Sequence, residues 1–159
     1  MVSAIAVANF FIQKSFETGI EVTPMKLLKL VYIAHGWSLG LWGDPLINEP
    51  VEAWTYGPVI PDLYKHVKEF GRGRITKLIT ISEFKGFTYH TITPTIPESD
   101  IKTRNLLNEI WEVYGDKGGL YLSAITHQDG TPWSRTKRND IIPHELIKEH
   151  YQLLATTST

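Results

Sequence analysis

The chain has 159 residues, the size of one domain at roughly 100–200 residues each. At 42% hydrophobic and 21% charged it holds enough apolar material for a packed core, which excludes wholesale disorder. Sixteen basic and seventeen acidic residues leave a formal charge of -1, which argues against a dedicated DNA coat or a polybasic membrane binder. The chain has no cysteine, so disulfides, thiolate zinc sites, iron–sulfur clusters and cysteine nucleophiles are excluded. Met1-Val2-Ser3-Ala4 lacks the basic run of a signal peptide. The longest apolar stretch, Met25 to Trp42, is broken by Lys26, Lys29 and His35 and falls short of the roughly 20 residues a bilayer demands. The expectation is a soluble, cytoplasmic protein.

Helix punctuation is legible from the start. Ser3 caps a first predicted helix that ends at Gly19, with Ile5, Ala8, Phe11, Ile12 and Phe16 near one face. Thr23-Pro24 opens a second, where proline's missing N–H is not needed. On it Lys26, Lys29, Gly36 and Gly40 form a narrow polar or small stripe, opposite Leu28, Val31, Tyr32, His35, Leu39 and Trp42. So apolar a helix belongs in the middle of the domain, and Gly43-Asp44-Pro45 stops it.

Val51 to Tyr56 reads as a short strand ended by Gly57-Pro58. Pro61 opens a third helix that closes at Gly71. From Arg74 to Thr93, Ile75, Ile79, Ile81, Phe87, Tyr89 and Ile92 among threonines predict a β-hairpin turning near Lys85-Gly86. Ser99 caps the next helix, which carries Leu106, Leu107, Ile110, Trp111 and Tyr114. A short helix spans Leu120 to Thr126, Thr131-Pro132 starts a helical turn with Trp133, and Pro143 opens the last helix. The fold class is mainly α with a small β element (α+β). Residues 1–154 are expected to form one domain and residues 155–159 a frayed tail.

Motifs for chemistry are sparse. There is no His-Glu-x-x-His and no EF-hand loop; Asp62 and His66 share a helical face, the pattern of a surface hydrogen bond more often than of a metal site. No Gly-x-Ser-x-Gly elbow exists, and Gly71-Arg72-Gly73-Arg74 lacks the Walker lysine and follows a helix. No catalytic residue, metal or cofactor is assigned. His35, on an apolar helical face, reads as a core histidine, and His127, at a helix end, as a partner for a terminal carbonyl. Two basic patches, Lys65, Lys68, Arg72, Arg74 and Lys77, and Arg135, Lys137 and Arg138, lie near aromatic residues, as nucleic-acid binding needs. Trp54-x-Tyr56-Gly57-Pro58 reads as a turn whose exposed member is Tyr56.

The order of motifs is Lys26-Leu27-x-Lys29-Leu30-x-Tyr32-x-Ala34-x-Gly36-Trp37-x-Leu39, Gly43-x-Pro45-Leu46, then Ala53-Trp54-x-Tyr56-Gly57-Pro58-Val59-x-Pro61. Ile110-Trp111-x-x-Tyr114-Gly115 and Leu122-Ser123-x-x-Thr126-His127-x-x-x-x-Pro132-Trp133 follow. Over about residues 5–155 this resembles the Panacea domain family, which includes SocA-like antitoxins and phage-associated proteins. The resemblance implies a helical domain with a minor β element and no active site. It implies a cognate protein toxin as partner, neutralised by direct contact, and a hand-over of that toxin to a protease. Most motif residues then read as scaffold. Tyr56, Arg72, Arg74, Trp133 and Arg135 are the candidate partner-binding residues, and the hairpin region a candidate variable element. The alternatives are a nucleic-acid-binding regulator using the first basic patch and a metal-assisted hydrolase using His35, Asp62, His66 or His127.

Overall fold

The computed structural model describes residues 1–157. Helix α1 (Ala4–Thr18) starts where the Ser3 hydroxyl accepts from the Ala6 N–H, and the Glu49 carboxylate takes the Ala4 N–H. An anion there suits the positive end of the helix dipole. Gly19 closes it in the left-handed region. Phe16 departs from the expected face: it is exposed.

Helix α2 (Pro24–Trp42) is capped by Thr23 and ended by Gly43, as its punctuation requires. It is the hub of the fold. Helices α1, α3 (Pro61–Val67), α4 (Ile101–Tyr114), α5 (Gly119–His127) and α6 (His144–Thr157) all pack on it. Phe11, Leu27, Leu30, Ile33, Leu107 and Leu122 are sealed in the core between them. The small stripe of α2 is the seat of α6: a Cβ on Gly36 would stand 2.2 Å from the Tyr151 ring, and one on Gly40 2.6 Å from its Cβ. Residues Ala155 to Thr157 continue α6 as helix, and residues 158 and 159 of the expected tail lie outside the described residues.

Strand β1 (Glu52–Trp54) pairs antiparallel with β2 (Gly57–Val59) across the two-residue turn Thr55-Tyr56. Gly57-Pro58 therefore does not end a lone strand but begins its partner; proline is tolerated because β2 is an edge strand. Beyond β1 runs the segment at Asn139–Ile142, which exchanges backbone hydrogen bonds with Val51 and Ala53.

The second hairpin, β3 (Ile81–Lys85) and β4 (Thr88–Ile92), turns at Gly86-Phe87 and projects from the body. Ile75 and Ile79 precede it, buried in the core. The buried Asn9 amide holds both its legs, donating to the Ile79 and Pro94 carbonyls and accepting from the Ile79 N–H. Asp100, not Ser99, caps α4, because the side chain that accepts the Thr103 N–H must stand three residues before it. Thr131 takes the Ser134 N–H as a cap would, but Pro132 and Trp133 form turns, without a helix. Among the described residues no helix is long and apolar enough to cross a membrane.

Candidate partner-binding surface

The β1–β2 turn is where the distant motifs meet. Three of its carbonyls each take a hydrogen bond from a different part of the chain. The Trp133 indole N–H donates to the Trp54 carbonyl (2.6 Å), the Ser123 hydroxyl to that of Tyr56 (2.8 Å), and the Lys29 ammonium to that of Pro58 (3.0 Å). A turn this small cannot satisfy those acceptors alone, and unsatisfied buried carbonyls are costly. Gly57 is required twice over. Its φ is +120°, and a Cβ there would stand 3.0 Å from Lys29 Nζ and 3.4 Å from the Cβ of His127.

Lys26 and Lys29 are not on a solvated stripe; both are buried. Their spacing sends them to different targets. Lys26 Nζ donates to the Gly115 carbonyl just past α4, its charge 5.7 Å from the Trp111 ring, while Lys29 reaches the turn. Burial lowers the pKa of both, partly offset for Lys26 by Asp116; Lys29 is brought down to about 8. Among the described residues no carboxylate pairs with Lys29.

The other motif residues make contacts within the fold. His35 is fully buried; its Nδ1 accepts from the Leu46 and Ile47 N–H groups, and burial with the nearby His144 charge holds its pKa down at about 3. Tyr32 packs edge-on against Tyr151, and the Trp37 indole N–H donates to the Tyr114 hydroxyl. Thr126 returns its hydroxyl to the Leu122 carbonyl, and Pro132 is buried. His127 Nδ1 bonds the Ser123 carbonyl inside α5, with its ring edge-on to Trp133.

Around the clamped turn lie two adjoining cavities. One, of about 470 Å³, is lined by Met25, Leu28, Lys29, Trp54, Tyr56 and Tyr64. The other, of about 660 Å³, has Thr23, Met25, Tyr56, Arg72 and Leu120 on its walls. Met25 and Tyr56 form the ridge between them. Tyr56 is 72% exposed and Leu120 81%, so the surface presents large apolar groups beside cations. Trp54 is turned inward against Tyr64, with ring centroids 5.4 Å apart.

The remaining candidate residues are spread out. Arg74 is exposed and pairs with Glu21 (3.7 Å), away from the turn; Lys77 pairs with Glu69 (3.9 Å) and Arg135 with Glu149 (3.8 Å). Trp133 is half-buried, its indole N–H engaged and the Arg138 guanidinium 3.6 Å above its ring. Members of both basic patches thus carry carboxylate or aromatic partners. His35, Asp62, His66 and His127 share no site, and among the described residues no three His, Asp or Glu side chains gather as metal ligands would. Leu120, at the start of α5, and Phe84, Phe87 and Tyr89, on the hairpin expected to be variable, are further large apolar groups exposed at the surface.

A family model described as antitoxin SocA-like, Panacea domain, matches residues 27–134. The chain belongs to the SocA-like Panacea domain family. Among curated proteins it is similar to the antitoxin SocA of Caulobacter vibrioides (strain NA1000 / CB15N), with 32% identity over 133 residues, covering 83% of this chain and 69% of the relative. No solved structure matches. The matched region runs from Leu27, in the first turn of α2, through the Trp133 turn, so every donor and acceptor of the clamp lies inside it.

Proposed function

We propose that this chain is an antitoxin that neutralises a cognate protein toxin in the cytoplasm by direct contact, docking it on the surface around Tyr56. The observation that carries this reading is the turn itself. Three side chains from separate segments fix its carbonyls, yet the residue at its tip, Tyr56, is directed to solvent. A rigid aromatic costs little ordering entropy on binding, and such groups dominate the energetics of protein interfaces. Arg72 flanks Tyr56 across the second cavity. A stable complex needs about 800 Å² from each partner. The surface from Tyr64 past Tyr56 to Leu120 supplies its centre, with Trp133 beside the turn and Arg74, Arg135 and the aromatic hairpin as further contacts. Delivery of the bound toxin to a protease would use the same complex.

Two observations weigh against the nucleic-acid alternative: the carboxylate pairing of Arg74, Lys77 and Arg135, and the even charge of the chain. The test is co-expression with the product of the adjacent gene, followed by growth and pull-down assays. Rescue of growth with a stable complex is the expected outcome. A neighbour that is harmless alone, or toxic with neither rescue nor complex, overturns the reading. Binding to nucleic acid that falls steeply with salt and on loss of Arg72 and Arg74 would favour the alternative.

A further inference from the structure

We propose that the cavity beside the β1–β2 turn is a socket for one acidic side chain, a Glu or Asp of the partner protein, with Lys29 as its counter-ion. This rests on the reading that a protein partner docks around Tyr56.

Lys29 is 2% exposed and spends one of its three N–H donors on the Pro58 carbonyl. Among the described residues neither an ion pair nor a second hydrogen bond engages its ammonium. The cavity that Lys29 lines is walled by Met25, Leu28, Trp54 and Tyr64, with the uncharged Thr55 and Asn139 as polar members. An uncompensated charge in such surroundings is expensive, and a carboxylate entering the cavity would supply the missing partner. The clamp alone does not call for that charge, since a neutral donor would satisfy the Pro58 carbonyl.

The form of the space selects the occupant. About 470 Å³ takes a carboxylate side chain with its neighbouring residue, and the cavity continues over Met25 and Tyr56 into the second one. A free acid would leave the second cavity empty, whereas a peptide segment crosses the ridge. Arg72 on the far side repeats the positive charge along that path. A phosphate, with about two charges and many acceptor atoms, is poorly matched by a single ammonium between aromatic walls.

Isothermal titration of the adjacent gene's product into the wild-type chain and into Lys29→Met tests this, with thermal unfolding of both chains as a control for folding. The expected result is a Kd at least 30-fold weaker for Lys29→Met, on the order of a lost buried charge pair, with that chain still folded at the assay temperature although loss of the Pro58 hydrogen bond lowers its melting temperature. One Glu→Gln or Asp→Asn change in the partner should reproduce that loss, and adding it to Lys29→Met should cost nothing more. Equal affinity of the two chains, or the absence of any partner carboxylate coupled to Lys29, overturns the proposal while leaving the antitoxin reading intact. Failure of the wild-type chain to bind overturns both. Should Lys29→Met not fold, the Lys29 side-chain titration followed by NMR in the wild-type complex decides. A rise on binding that one partner Glu→Gln or Asp→Asn change removes is expected, and no rise overturns the proposal.

Discussion

Lys29 and Gly57 are fitted to each other: the lysine ammonium lies 3.0 Å from the place a glycine Cβ would occupy, on its way to the Pro58 carbonyl. Neither residue is explained by its own helix or strand. Together they join two motifs far apart in sequence, one on α2 and one at the β1–β2 turn. Gly57→Ala adds a Cβ at φ +120° and presses on that ammonium. The expected cost is about 1–3 kcal/mol of stability, read as a lower urea midpoint.

Burial of Lys29 also makes stability depend on pH. Its folded pKa is near 8 against an ordinary 10.5, so between those values the unfolded chain binds more protons. Stability therefore rises as pH climbs through 8 towards 10. Tyr32 and Tyr151 have the opposite sign: burial raises their pKa values, so their contribution is lost once pH passes about 10, where unfolded tyrosines ionise. Urea melts from pH 7 to 11 should show a maximum near pH 10. Lys29→Met should flatten the rising limb.

Acid acts through His35. Its folded pKa is near 3 against an ordinary 6.5, so the unfolded chain takes its proton first as pH falls. The stabilisation is complete above 6.5 and is lost progressively down to 3, with His66 and His150, also depressed by burial, adding to the early part. His35→Gln, which keeps an acceptor for Leu46 and Ile47, should weaken the slope of stability against pH between 6 and 3.

Helix α6 depends on the missing side chain at Gly36. Alanine there would drive a methyl into the Tyr151 ring, which is itself wedged beside Tyr32 and Trp37. Overpacking of this kind costs typically 1–3 kcal/mol or more. Gly36→Ala should lower the melting temperature, and Tyr151→Leu in the same chain should recover part of the loss, a coupling that a double-mutant cycle measures.

The parts of the fold visible in the sequence are those set by near neighbours. Ser3, Thr23, Gly19 and Gly43 bound their helices because a cap acts within one turn. Lys26 and Lys29 looked like a polar stripe because spacing reports direction, not the carbonyl at the far end of a side chain. The clamp joins residues 29, 67 and 79 positions apart, and no local pattern encodes such a meeting. The strand at Gly57-Pro58 was hidden for a different reason. Glycine and proline resist strands in general, and here an edge position with long-range support overrides that preference. Asn9, buried in α1, tethers the second hairpin through the Ile79 and Pro94 carbonyls, partners 70 and 85 positions away that its own helix pattern does not name.

Contact through a fixed, outward aromatic is best probed at Tyr56, whose side chain is largely free of the fold. Tyr56→Ala should leave the melting temperature within about 2 °C of wild type, since exposed substitutions rarely exceed 0.5 kcal/mol. Its Kd for the product of the adjacent gene, measured by isothermal titration, should rise at least tenfold, with matching loss of growth rescue. Unchanged affinity and rescue in a folded Tyr56→Ala chain would contradict the assignment of this surface.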